Sequence, residues 1–148
     1  MARFSRKVLR SFNISRIRSP GRALRQKAGT LERYRLQEWL NFISTEIHKS
    51  FSPLLSKSTS EDWRKAATTN ISKRFDYVAR QLKDGDYLLG EKFSVADAYL
   101  FTMLSWASAV GMDLGRWPAL KAYQARVTAC PSVQEALKAE GLPMKIAA

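Results

Sequence analysis

One cysteine and one histidine among 148 residues leave little material for several kinds of chemistry. A single thiol excludes a disulfide framework and a multi-thiolate zinc site, and a single imidazole excludes a multi-histidine metal centre. No apolar run approaches the roughly 20 residues that a helical membrane span requires. The 7 glycines form no phosphate-cradling loop, and no internal repeat of solenoid period is visible.

Acidic residues are missing from one stretch in particular. The chain carries 25 Lys and Arg against 13 Asp and Glu, a net charge of +12. Residues 1–27 contain no acid and nine bases: Arg3, Arg6, Lys7, Arg10, Arg16, Arg18, Arg22, Arg25 and Lys27. Residues 28–148 therefore hold 16 basic and 13 acidic residues, only +3. The excess belongs to a basic leader, and the body itself calls for no nucleic-acid partner.

At about 100° per residue, Phe4, Val8, Leu9 and Phe12 share one side of a helix in that leader, with Arg3, Arg6, Lys7 and Arg10 opposite. Four serines and no acid also match the composition of a mitochondrial presequence. Three readings stand: a targeting peptide, an arm for nucleic acid or anionic lipid, or a non-native extension. Pro20-Gly21 closes the segment with a turn signal.

What is plentiful is apolar material, at 45% of the residues, and it falls into helical stripes. Leu36, Leu40, Ile43, Ile47 and Phe51 recur at helical spacing after a capping Thr30, and Ser52-Pro53 is expected to interrupt them. Trp63, Ala67, Ile71, Phe75, Val78 and Leu82 form a second stripe, opened by Ser60-Glu61-Asp62 and ended by Asp84-Gly85-Asp86. Tyr87-Leu88-Leu89-Gly90 is a connector too short for a sheet. Ser94 and Asp97 make a capping box for a helix over residues 95–110 that is apolar on nearly every face, so it belongs at the centre of a bundle. Trp117-Pro118 opens a further helix, and Pro131 separates it from a last one ended by Gly141. The fold class expected is all-α, a bundle of about five helices over residues 28–148. Cys130 reads as a small buried filler.

One line of residues stands apart from the packing pattern. Asn41, Thr45, His48 and Ser52 follow one another at spacings of 4, 3 and 4, with Lys49 beside His48. They border the first apolar stripe, where an amide, a hydroxyl, an imidazole and an ammonium can receive a peptide-like anion. From spacing alone such a line is more often a solvated helix flank. The capping box reads as structural, and Tyr99 and Trp106 read as core.

The run from Glu32 to Leu54, above all Glu46-Ile-His-Lys-Ser-Phe51, resembles the first helix of the C-terminal domain in bacterial beta-class glutathione S-transferases. Asp86-Tyr-Leu-Leu-Gly90, Phe93-Ser-Val-Ala-Asp-Ala-Tyr-Leu-Phe101, Trp117-Pro118 and Cys130-Pro-Ser-Val-Gln-Glu-Ala-Leu137 continue the resemblance, which covers residues 28–142. It implies a two-domain relative in which an N-terminal thioredoxin-like domain supplies most of the glutathione site and the catalytic cysteine. Asn41, Thr45, His48 and Lys49 then correspond to helical-domain residues at the glutathione site, with His48 in a supporting catalytic role. Phe51 and Trp106 correspond to the hydrophobic substrate site.

The same resemblance implies glutathione as co-substrate, a small electrophile as second substrate and no metal. The implied partners are a second copy of the chain or a thioredoxin-like domain. The implied location is cytoplasmic, or mitochondrial if residues 1–18 are a presequence. No thioredoxin-like pattern occurs in this sequence. The expectation is a C-terminal domain with weak or no conjugating activity of its own, or alternatively a non-catalytic helical interaction module.

Overall fold

The computed structural model describes residues 26–82 and 85–142. The basic leader through residue 25, with the three readings placed on it, lies outside the described residues. Five helical rods account for the rest: a composite first rod from Leu31 to Leu55, then α3 (Glu61–Gln81), α4 (Val95–Ala109), α5 (Pro118–Thr128) and α6 (Pro131–Ala139). No strand occurs among the described residues, and Tyr87 and Gly90 make only an isolated bridge. The all-α bundle is as the sequence implies.

The helix starts follow local chemistry. Thr30 accepts a hydrogen bond from the Arg33 N–H, and Ser60 accepts one from Trp63. Each satisfies a donor that a first helical turn leaves unpaired. Pro118 and Pro131 occupy first-turn positions where their missing N–H costs nothing. Gly111, with φ of 80°, sits just beyond α4 in a conformation that side chains disfavour.

The first rod is not one α-helix. α1 (Leu31–Phe42) widens into a π-helical turn over Ile43–His48, tightens to a 3-10 turn over Lys49–Phe51, and ends as α2 (Ser52–Leu55). The Lys49 N–H reaches back to the Ser44 carbonyl, five residues away. The stripe explains the change of pitch. Two successive four-residue steps, Ile43 to Ile47 to Phe51, drift by roughly 40° each on an α-helix. A wider turn advances less per residue and cancels that drift, so Ile43, Ile47 and Phe51 all reach 0% exposure. The hydroxyls of Ser44 and Thr45 both donate to the Asn41 carbonyl, at 3.1 and 3.0 Å, which loosens the α ladder where the π turn begins.

Three expectations need correcting. Pro53 does not interrupt the rod; it lies in the first turn of α2, where its ring is tolerated. Trp63 belongs to the second stripe by spacing but is 62% exposed; in that first turn it is Arg64 that reaches the end of the first rod, bonding to the Leu54 and Ser56 carbonyls. Cys130 is only half-buried, at the junction of α5 and α6.

α4 is the central helix. Ten of its residues are buried, and it packs on the first rod, α5 and the Leu114–Arg116 turn. This contact between α4 and the π turn is what places side chains from distant parts of the sequence against the polar line.

Candidate functional site

The first rod carries the polar line, with Thr45 and His48 on the π turn, Asn41 before it and Lys49 and Ser52 after it. Asn41, Thr45, Lys49 and Ser52 are exposed, whereas His48 is half-buried. Thr45 already spends its hydroxyl hydrogen on the Asn41 carbonyl. Lys49 makes no ion pair among the described residues. Glu46, between them on the same turn, is held by Arg74 of α3 through two N–H groups at 3.0 and 2.7 Å. That pair is partly exposed, so its value lies in anchoring the turn to α3 more than in stability.

His48 points at α4. Its Nδ1 lies 2.6 Å from the Tyr99 hydroxyl oxygen. Its ring meets Trp106 edge to face, with centroids 4.9 Å apart and planes at 88°. Phe51 backs the same indole at 5.9 Å and 87°. Phe51 is 0% and Trp106 4% exposed, so the pair assigned by resemblance to a hydrophobic site stands here as packing behind the histidine. The buried Trp106 Nε1 has no partner among the described residues.

Of the expected residues, the structure brings His48, Trp106 and Phe51 into one cluster and leaves Asn41, Thr45 and Lys49 on the adjoining open face. Tyr99 was read as core, yet it is half-buried and makes the one side-chain hydrogen bond His48 has among the described residues. A polar atom in an otherwise apolar helix was the available signal. Ser94 and Asp97 sit away from this cluster, at the start of α4, in the capping box expected of them.

Burial lowers the His48 pKa from the usual histidine value, and burial raises that of the Tyr99 phenol. Both groups are therefore neutral at pH 7. An unperturbed imidazole titrates near roughly 6.5. As pH falls through that value the unfolded chain takes up the proton first, so the fold loses stability until the lowered folded-state value is passed. Because this is the chain's single histidine, its titration by NMR gives an unambiguous test. A midpoint at or above the ordinary value would contradict the burial.

No cluster of three or more metal-ligating side chains exists among the described residues, and no described helix is long and apolar enough to cross a membrane. A groove of about 1420 Å³ opens elsewhere, lined by Trp39, Phe42, Tyr77, Leu88, Leu89 and Phe93 among others. Trp39, Phe42 and Tyr77 contact one another with ring centroids 5.1 to 6.0 Å apart. None of the polar-line residues lines it. The His48 face thus lies outside that groove, with Asn41, Thr45 and Lys49 exposed beside it.

Residues 42–131 match the glutathione S-transferase C-terminal domain family. The chain is 42% identical over 123 residues to the glutathione S-transferase GstA of Escherichia coli O157:H7, covering 83% of this chain and 61% of that protein. Among solved structures, it resembles a ternary complex of BphK, a bacterial glutathione S-transferase, at 51% identity and a TM-score of 0.78, covering 80% of this chain and 60% of the other. It is also similar to the bacterial beta-class enzyme of Sphingomonas chungbukensis, at 45% identity and a TM-score of 0.77, with 82% and 60% covered. The chain spans about three-fifths of the length of these relatives.

Proposed function

Because the chain belongs to the glutathione S-transferase family, through its C-terminal domain, we propose that its polar line is the helical-domain wall of a glutathione site. Asn41, Thr45, His48 and Lys49 are the residues assigned to it. The observation that carries this reading is an imidazole oriented by Tyr99 next to an exposed ammonium, on adjacent residues where the π turn meets the 3-10 turn. Lys49 offers charge to a carboxylate or thiolate, and His48 offers a directed hydrogen bond. The second substrate in this reading is a small electrophile. One wall of donors and a single cation binds weakly and does not by itself activate a thiol.

The expected result is that glutathione perturbs the His48 NMR signals with a Kd on the order of 1 mM or weaker. Lys49→Ala should weaken this several-fold, and conjugation of an aryl halide by the chain alone should stay at background. Absence of any perturbation at tens of millimolar glutathione overturns the binding reading. Conjugation above background that His48→Ala abolishes overturns the inactivity.

The aromatic groove favours a second, compatible reading as an interaction module. Trp39, Phe42, Tyr77 and Phe93 form a concave apolar face of the kind that partner domains cover. The occupant proposed is a thioredoxin-like domain. Mixing the chain with such a domain from a beta-class relative should produce a complex on size-exclusion chromatography, lost on Trp39→Ala with Phe42→Ala. Unchanged elution of both proteins at micromolar concentration counts against it.

A further inference from the structure

We propose that Tyr99 is a positioning residue: its hydroxyl donates to His48 Nδ1, fixing the Nε2–H tautomer and making His48 a hydrogen-bond donor to its ligand. The inference deepens the glutathione-site reading and rests on it for the identity of that ligand.

The contact is short, 2.6 Å, and joins residues 51 positions apart on two elements held together by the core. Two arrangements of the proton are open to it. If the imidazole donated from Nδ1, the half-buried phenol hydrogen would need another acceptor, and the Tyr99 hydroxyl has none among the described residues. If the phenol donates, its hydrogen is satisfied within the fold, and the hydrogen left for an outside acceptor is the one on His48 Nε2. Acidity gives the same answer, because a phenol is a far stronger acid than the N–H of a neutral imidazole. The bond therefore reads O–H···N.

The ring has little freedom to escape this assignment. Trp106 stands edge to face against it at 4.9 Å, and Tyr99 itself lies at 5.7 Å and 89°. With Nδ1 occupied, the remaining nitrogen carries the hydrogen. It has no lone pair to accept a proton, so His48 does not serve as a general base on an incoming thiol. What it does is donate one bond from Nε2–H to a sulfur or oxygen that bears negative charge. The positive charge opposite such a group comes from Lys49, one residue along, and not from the imidazole.

The test uses the full chain labelled with ¹⁵N, in which the only imidazole is that of His48. At pH 8 without ligand, the expected spectrum shows a protonated Nε2 and an acceptor-type Nδ1. In Tyr99→Phe, which keeps the ring packing, the ratio of the two tautomers should fall roughly five-fold toward Nδ1–H. The His48 response to millimolar glutathione should weaken several-fold, while the far-ultraviolet circular dichroism stays unchanged. A protonated Nδ1 in the unsubstituted chain overturns the proposal outright. An unchanged ratio in Tyr99→Phe also overturns it. If both ratios come out as expected but glutathione never perturbs His48, the positioning by Tyr99 stands and the glutathione-site reading fails.

Discussion

Asp97→Ala should remove about 3–5 kcal/mol of folding stability, the sum of a few buried donors left unpaired, a large share of the roughly 5–15 kcal/mol that holds a domain together. Asp97 is 0% exposed and accepts four hydrogen bonds. Oδ2 takes the Ser94 N–H at 2.8 Å and the Ser94 hydroxyl at 2.7 Å. Oδ1 takes the Leu88 N–H at 2.9 Å and the Tyr123 hydroxyl at 3.0 Å. Alanine strands the two buried Ser94 donors, each at about 1–3 kcal/mol, and takes an acceptor from the part-buried Leu88 N–H, while the Tyr123 hydroxyl keeps the residue-97 carbonyl at 3.2 Å. It also removes a negative charge from the first turn of α4, where the helix dipole favours one.

Burial, and after it the Asp97 charge, raise the pKa of the Tyr123 phenol well above its ordinary value, so the phenol remains a donor at any physiological pH. Asp97→Asn should be only partly milder, because its amide turns a donor toward other donors. Urea denaturation measures both variants. A loss below about 1 kcal/mol for alanine, the scale of an ordinary cap, would show the longer-range bonds to be energetically idle.

That contrast marks where reading the sequence stops. The Ser94/Asp97 box is local chemistry over three residues, and it is legible because the signal and its partner lie together. The bonds to Leu88 and Tyr123 cross 9 and 26 residues, and no spacing rule announces them. Thr30, Ser60, Pro118, Pro131 and Gly111 are legible for the same reason that the box is: each acts within one turn of itself. Trp63 shows the opposite case. A stripe gives the direction in which a side chain leaves its helix, but burial also needs a neighbour on that side; in the first turn of α3 it is Arg64 that reaches Leu54 and Ser56, and Trp63 stays exposed.

The candidate site divides in the same way. The polar line from Asn41 to Ser52 follows from periodicity, since it stays on one flank of the first rod. The π turn beneath it was concealed in two consecutive four-residue steps of the apolar stripe, which a uniform helix also tolerates with some drift. Tyr99 was invisible as His48's partner because it sits 51 residues away, on a helix whose apolar character dominates every local reading. Resemblance supplied the names of the line's residues. The structure supplied the environment that makes His48 neutral.

Trp106→Ala is the second substitution with a large expected cost, about 3–5 kcal/mol for a truncated aromatic in a packed core. Resemblance placed Trp106 and Phe51 at a hydrophobic substrate site, whose walls would be open to a ligand. In the structure the indole is 4% exposed and is sandwiched edge to face between His48 and Phe51. Truncation therefore opens a cavity between the π turn and α4, with little prospect of collapse because Phe51 is itself fully buried. The buried indole N–H has no partner among the described residues, so Trp106→Phe forfeits volume but no hydrogen bond. It should cost no more than about 1–2 kcal/mol, in the range of modest core volume changes. Removing the indole also readmits water to His48, whose pKa should climb back toward the ordinary value as its desolvation is relieved. Chemical denaturation and the histidine NMR titration read the two effects separately. A stable Trp106→Ala variant with an unmoved His48 titration would mean that the indole lines an open site; the coupled loss of stability and rise in pKa would mean that its work is to hold the imidazole in place.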